Sequence, residues 1–100
     1  MKRLIRLLGL TMNKKEIILE EKYPKKLGMG PTAKKLFQEI NKESDVILNF
    51  ENIEFMSRSF AQEYTFQKYN SKTNITEINM SESIKKLLSI VAEDFERSCL

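Results

Sequence analysis

The sequence predicts a small α/β domain in which three strands and three helices alternate around a mostly parallel sheet. Two observations lead to this prediction, namely the spacing of the apolar residues and the length and composition of the chain. Apolar residues recur by turns at strand-like and helix-like spacings between residues 16 and 95, and this alternation implies parallel strands joined by right-handed helical crossovers. The chain of 100 residues suits one domain, and its 41% hydrophobic and 31% charged residues are ordinary for a globular protein.

An N-terminal extension, residues 1–13, precedes the predicted domain of residues 14–100. Its apolar stretch is interrupted by Arg6 and is far shorter than the about 20 residues of a membrane span. No signal-peptide cleavage site follows it. Three interpretations stay open: an amphipathic turn, an extra edge strand, or a flexible leader ahead of a start at Met12. We therefore expect no membrane segment.

The first strand is predicted at residues 16–21, EIILEE, where β-branched and apolar residues lie between charges. Pro24 ends it, because proline cannot continue a central ladder. The turn at residues 28–32, GMGPT, leads into a helix with Pro31 at its first position. The apolar residues of that helix repeat at helical spacing: Ala33, Leu36, Phe37 and Ile40.

The second strand is predicted at residues 46–50, VILNF, whose nearly unbroken apolar run favours a central strand covered on both faces. Ile53 and Phe55 are expected to pack beneath the next helix, at residues 59–69. The third strand follows at residues 75–80. A last helix, capped by a serine, then repeats apolar residues with a 3.6-residue period at Ile84, Leu87, Leu88, Val91 and Phe95.

The charge is unevenly distributed along the chain. Residues 1–35 hold 10 Lys/Arg and 3 Asp/Glu, a balance of +7, and residues 36–100 hold 7 and 11, a balance of −4. A basic first third favours either a solvated lysine-rich surface or contact with nucleic acid or an acidic partner. Association with nucleic acid is the alternative function. A homodimer is also expected as an alternative to a monomer, through an edge strand at residues 16–21 or the N-terminal piece.

The composition argues against an enzyme and against a bound metal or cofactor. The chain has no histidine, which removes the commonest general base and metal ligand. Its single cysteine, Cys99, cannot form an internal disulfide, which fits a cytoplasmic, reducing compartment. Gly28-Met29-Gly30 matches only part of a phosphate-binding loop. A catalytic serine at the start of the second helix would need an adjacent base, and the sequence indicates none.

The segment at residues 46–64, VILNFENIEFMSRSFAQEY, resembles the core motif of STAS domains, which include the bacterial anti-sigma-factor antagonists. In those domains Asp-Ser-Ser-Gly opens the helix, and an ATPase-fold kinase phosphorylates the first serine. Ser57 stands at the Asp position and Arg58 at that of the phosphorylated serine. Ser59 stands at the second serine, and Phe60 replaces the glycine.

The chain is more similar to a divergent group of bacterial STAS-like domains, in which a small residue and then Ser-Phe-Ala or Gly-Phe-Ala opens this helix. Asn79-Met80 at a strand end and the spacing of Gly28 and Ala33 extend the resemblance to residues 16–95. It implies a signalling role beside a histidine-kinase-like ATPase partner. With an arginine at the phosphoacceptor position the usual switch does not carry over, and the flanking serines either replace the acceptor or only cap the helix.

The predicted function is a non-enzymatic signalling or protein-interaction module whose partner binds at this strand-to-helix corner and at the preceding turn. The expected contact residues are Met29, Thr32, Ser57, Arg58, Ser59 and Phe60, with Ser57 and Ser59 as candidate phosphorylation sites. A cation in the first helical turn opposes the helix dipole, so stability alone does not favour Arg58. We expect it either to contact an acidic partner or to turn back to Glu51 or Glu54.

Overall fold

The computed structural model describes residues 14–23 and 26–99, which form five strands and four helices. The predictions for residues 1–13 lie outside the described residues. The strands are β1 (Lys14–Ile18), β2 (Lys26–Leu27), β3 (Asp45–Asn49), β4 (Phe55–Met56) and β5 (Asn74–Ile78). The helices are α1 (Leu19–Lys22), α2 (Gly30–Ile40), α3 (Arg58–Asn70) and α4 (Glu82–Cys99).

The main sheet is parallel and has the order β1–β3–β5, which confirms the predicted α/β class and the central place of the second strand. Leu48 of β3 lies opposite Ile17 of β1 and Glu77 of β5, so these three side chains share one face of the sheet. Val46 and Leu48 are fully buried on that face, whereas Ile47, on the other face, is only half-buried. The expected cover on both faces of β3 is therefore partial.

The helices α2 and α3 bury their apolar sides against the face of the sheet that carries Leu48, and α3 contacts both α2 and α4. Two side-chain contacts identify this face: Lys15 of β1 bonds to Glu39 of α2, and Tyr64 of α3 donates a hydrogen bond to Glu77 of β5. The helical core residues are Ala33, Leu36, Phe37, Ile40, Phe60, Ala61, Tyr64, Ile84 and Val91. Most of them fall at the positions that the helical spacing predicts.

The structure corrects the predicted end of the first strand. β1 stops at Ile18, and residues predicted as its second half form the single turn α1, closed by a hydrogen bond of 2.8 Å from the Tyr23 amide to the Leu19 carbonyl. Leu19 is fully buried in this turn. A buried leucine thus fits either conformation, and the local pattern could not distinguish them. The third strand likewise ends at Ile78, two residues earlier than predicted, where Asn79 takes a left-handed conformation with φ 60°.

The short parallel pair of β2 and β4 was not predicted, and it explains why one expected core residue is exposed. Leu27 lies opposite Met56, and both are buried. Successive side chains of a strand point to opposite sides, so Phe55 points away from the core and is 50% exposed. The prediction that Phe55 packs beneath the helix is therefore wrong, whereas the burial of Ile53 is confirmed.

Candidate partner-binding site at the strand-to-helix corner

The β2–β4 pair brings the start of α2 and the start of α3 to the same end of the molecule. β2 leads through Gly28 and Met29 into α2, and β4 leads through Ser57 into α3. The Ser57 amide donates a hydrogen bond of 2.8 Å to the Leu27 carbonyl, which extends the ladder by one step. We call this region, residues 26–32 and 54–60, the corner.

Ser57 is built into the backbone of the corner. Its Oγ accepts a hydrogen bond of 3.0 Å from the Phe60 amide, which makes it the N-cap of α3. The same hydroxyl donates a hydrogen bond of 2.8 Å to the Gly28 carbonyl. One side chain therefore joins the first turn of α3 to the segment that enters α2, and its hydroxyl hydrogen is already engaged.

Ser59 differs from Ser57 although it is only two residues away. Its side chain is exposed, and its hydroxyl forms no hydrogen bond with the described part of the chain. It faces Gly30, where an added Cβ would lie 3.0 Å from Ser59 Oγ and 3.4 Å from the Ser59 carbonyl oxygen. The two helices approach closely here because Gly30 has no side chain. Of the two serines, Ser59 thus presents the accessible hydroxyl.

Arg58 is the first residue of α3, and its side chain is 55% exposed. Its guanidinium lies 2.9 Å from Asp94 Oδ2 on α4, so it reaches across to the last helix and not back to Glu51 or Glu54. Asp94 supplies a negative charge near the start of α3, which offsets the unfavourable placing of a cation at a helix N-terminus. The ion pair is solvated on both sides and contributes at most about 1 kcal/mol to stability.

The predicted contact residues do not all reach the surface. Met29 is 65% exposed, and Thr32 is half-buried at the start of α2. Phe60 is fully buried and stacks on Tyr64 with the ring centroids 6.2 Å apart, so its side chain belongs to the core. Phe55, which the sequence predicted to be buried beneath α3, is exposed. No local signal separates Phe55 from Met56, because only the pairing of β4 with β2 sets which of them faces inward.

The corner therefore combines apolar and basic groups on one surface. Phe55 lies opposite the exposed Lys26 in the β2–β4 register. Arg58, at the start of α3, is a second exposed cation of the corner, and Lys34 is exposed just outside it, in the second turn of α2. A corner that exposes Met29 and Phe55 together with the cations Lys26 and Arg58 is suited to a partner that brings an apolar side chain and a carboxylate together.

The basic first third of the chain is partly neutralised within the fold. Lys15 and Lys22 both contact Glu39, at 3.4 Å and 3.2 Å. Burial is the largest single influence on the pKa of Glu39 and raises it, but the hydrogen bonds and charges of Lys22 and Lys15 together outweigh burial and hold the pKa below its ordinary value. The carboxylate stays ionised, so two of the cations that favoured nucleic acid in the sequence have an internal partner.

Tyr64, a buried tyrosine of α3, has the strongest pKa shift among the described residues. Burial raises the pKa of Tyr64 well above its ordinary value, and the charge of Glu77, to which its hydroxyl donates, raises it further. Lys68 also bonds to Glu77, at 3.1 Å. Tyr64 therefore stays protonated at neutral pH and holds β5 to α3 as a hydrogen-bond donor.

No protein-family model, curated protein or solved structure matched the chain. Among the described helices, none has the length and hydropathy that crossing a membrane requires. The geometry of the corner is thus the basis for a functional assignment, and the STAS-like resemblance stays a prediction.

Proposed function

We propose that the protein is a STAS-like, non-enzymatic signalling module that binds a protein partner at the corner. The observation that carries this proposal is that the corner exposes two large apolar side chains, Met29 and Phe55, and also the cation Arg58. Ser57 holds the backbone of the corner in place. Two large apolar side chains that are exposed contribute little to the stability of the folded chain. They can contribute to the free energy of binding, because apolar and arginine side chains commonly anchor an interface.

The partner that fits this surface carries an apolar anchor and an acidic group. The anchor would cover Met29 and Phe55, and the carboxylate would replace Asp94 as the partner of Arg58. Because the Arg58–Asp94 pair is exposed on both sides, exchanging one carboxylate for another costs little. In line with the family resemblance, we propose a histidine-kinase-like ATPase domain as this partner.

The proposal extends to phosphorylation, for which Ser59 is the better candidate of the two serines. Its hydroxyl is exposed, whereas that of Ser57 donates to the Gly28 carbonyl and caps α3. A phosphate on Ser59 would bring nearly two negative charges to the start of α3, next to Arg58. It would then compete with Asp94 for the guanidinium and change the charge that the corner offers to a partner.

The test uses a purified histidine-kinase-like ATPase domain from the same genome as the probe in isothermal titration calorimetry. We expect Phe55→Ser and Arg58→Glu each to weaken binding at least about tenfold, in the range of interface anchors. Loss of the exposed Arg58–Asp94 pair should lower the melting temperature by only a few degrees, so that each variant stays folded in the assay. Ile90→Ser is the control, because Ile90 is an exposed apolar residue on α4, outside the residues of the corner. Equal binding of the corner variants and the wild type would refute the site.

Incubation of the same domain with ATP tests the modification separately. Phosphate transfer that is lost in Ser59→Ala and retained in Ser57→Ala supports the assignment of Ser59. Transfer to Ser57 would refute the assignment of Ser59 as the acceptor. No transfer to either serine, while the two proteins still bind, would show that the corner serves for recognition without phosphorylation.

A further inference from the structure

Within the described part of the chain, β5 has an open outer edge, on the opposite side of the sheet from β1. β5 is the last strand in the order β1–β3–β5, and no described residue pairs beyond it. The Asn74 amide donates to the Ser44 carbonyl and the Ile78 carbonyl accepts from the Phe50 amide, both at 2.9 Å. Residues 74, 76 and 78 therefore turn their backbone towards β3, and Ile75 and Glu77 turn theirs outwards.

Strand edges are usually protected against pairing with other chains, and β5 has only one of the usual devices, an inward-pointing charged residue. The opposite edge, β1, begins with two lysines, Lys14 and Lys15, a common protection of exposed edges. β5 has no proline and no lysine. Its one charged residue, Glu77, turns towards the helices, where Tyr64 and Lys68 bind its carboxylate. The outward N–H and C=O groups of Ile75 and Glu77 have no partner in the described part of the chain.

We propose that a second copy of this chain pairs with β5, strand against strand and antiparallel, about a two-fold axis at Thr76. The sheets of the two copies would then join through their β5 edges into one continuous sheet. This interface is separate from the corner and does not depend on the proposed function. It also moves the expected dimer contact from the first strand to the last.

The sequence of β5, NITEI, is complementary to itself in this arrangement. Ile75 lies opposite Glu77 of the second copy, and each of the two such pairs exchanges two backbone hydrogen bonds. Thr76 lies opposite its own copy in a non-hydrogen-bonded pair, where the Cα atoms are about 4.5 Å apart and threonine pairs are favourable. Closed two-fold dimers of this kind are the commonest oligomers.

The charges in β5 do not oppose this pairing. The two Glu77 side chains would be diagonal neighbours at about 7–8 Å, not opposite each other. Each is already bound by Lys68 of its own copy at 3.1 Å. Glu77 and Lys68 line a cavity of about 260 Å³ between β5 and the helices. Like-charge repulsion is therefore small at this edge.

Thr76 allows a charge-exchange test of the proposal by sedimentation velocity across a range of protein concentrations. Its side chain is exposed on the open face of the sheet, so neither Thr76→Lys nor Thr76→Glu should disturb the fold. In the dimer each variant would place two like charges opposite each other. We expect each variant alone to self-associate at least about tenfold more weakly than the wild type, and an equimolar mixture of the two to recover the dimer.

The control is Ile90→Lys, which adds the same charge on the exposed side of α4 and should leave the dimer unchanged. Circular dichroism and melting temperature establish that each variant is folded. A wild-type protein that stays monomeric at every concentration would overturn the proposal. So would a dimer that Thr76→Lys leaves intact, or a mixture of the two charged variants that does not associate.

Discussion

Replacement of Ser57 by alanine tests whether one hydroxyl holds the corner together. The change removes the N-cap bond to the Phe60 amide and the bond to the Gly28 carbonyl, at 3.0 Å and 2.8 Å. Loss of a serine cap costs about 1 kcal/mol, and loss of a neutral hydrogen bond costs about as much again. We therefore expect Ser57→Ala to lower the free energy of unfolding by about 2 kcal/mol.

The assay is urea unfolding followed by far-ultraviolet circular dichroism, since the chain has no tryptophan. A loss of about 2 kcal/mol corresponds to a fall in melting temperature of roughly 10 °C for a domain of this size. The slope of the unfolding free energy against urea concentration should be unchanged, because the surface area exposed on unfolding is nearly the same in the variant and the wild type.

Ser59→Ala is the matched control, because it removes the same group two residues away. The Ser59 hydroxyl bonds to none of the described residues, so the loss should stay within about 0.5 kcal/mol. Ser57→Asp separates the two bonds of Ser57: a carboxylate still caps α3 but cannot donate to the Gly28 carbonyl. Its stability should lie between those of Ser57→Ala and the wild type. Equal losses for the two alanine variants would refute the reasoning.

Three further predictions concern contacts around the core and the corner. The wild-type protein should lose stability as pH rises past about 10, because an unfolded tyrosine ionises there while the folded Tyr64, with its raised pKa, keeps its proton. Tyr64→Phe should remove this decline. The free energy of unfolding of both proteins, measured as a function of pH, tests the difference. A double-mutant cycle of Arg58→Ala and Asp94→Ala should give a coupling of at most about 1 kcal/mol that falls with added salt; a larger, salt-independent value would show a buried pair. Gly30→Ala should melt at a lower temperature than Gly28→Ala, since its Cβ would lie 3.0 Å from Ser59 Oγ and force that side chain to shift, whereas the Cβ added at Gly28 meets nothing within 4 Å. Equal melting temperatures would contradict the close approach.

The order of the main elements follows from the sequence because their patterns are local. The apolar spacing in α2 and α4 places Leu36, Phe37, Ile84 and Val91 in the core, and the structure confirms all four. The short apolar run around Leu48 likewise predicts the central strand. Each of these patterns needs only a few neighbouring residues to bury one side of a helix or strand.

The geometry of the candidate site could be predicted much less well, because it depends on contacts between residues far apart in the sequence. The resemblance drew attention to residues 57–60, but it could not tell that Ser57 is engaged and Ser59 open, since that difference depends on the Gly28 carbonyl, 29 residues away. It also could not place Phe55 outside. That orientation depends on a two-residue pairing with β2, which is too short to show any periodicity.

The sequence by itself determined the α/β class, the central strand, the burial of the helical sides and the presence of a serine at the start of α3. The tertiary structure alone decided which residue forms the ion pair with Arg58, which strand edge lacks a partner among the described residues and which aromatic side chain faces solvent. The physical reason is distance along the chain. Burial of a helix side follows from residues three or four apart, whereas the Arg58–Asp94 pair joins groups that only the packing of α4 against α3 brings together.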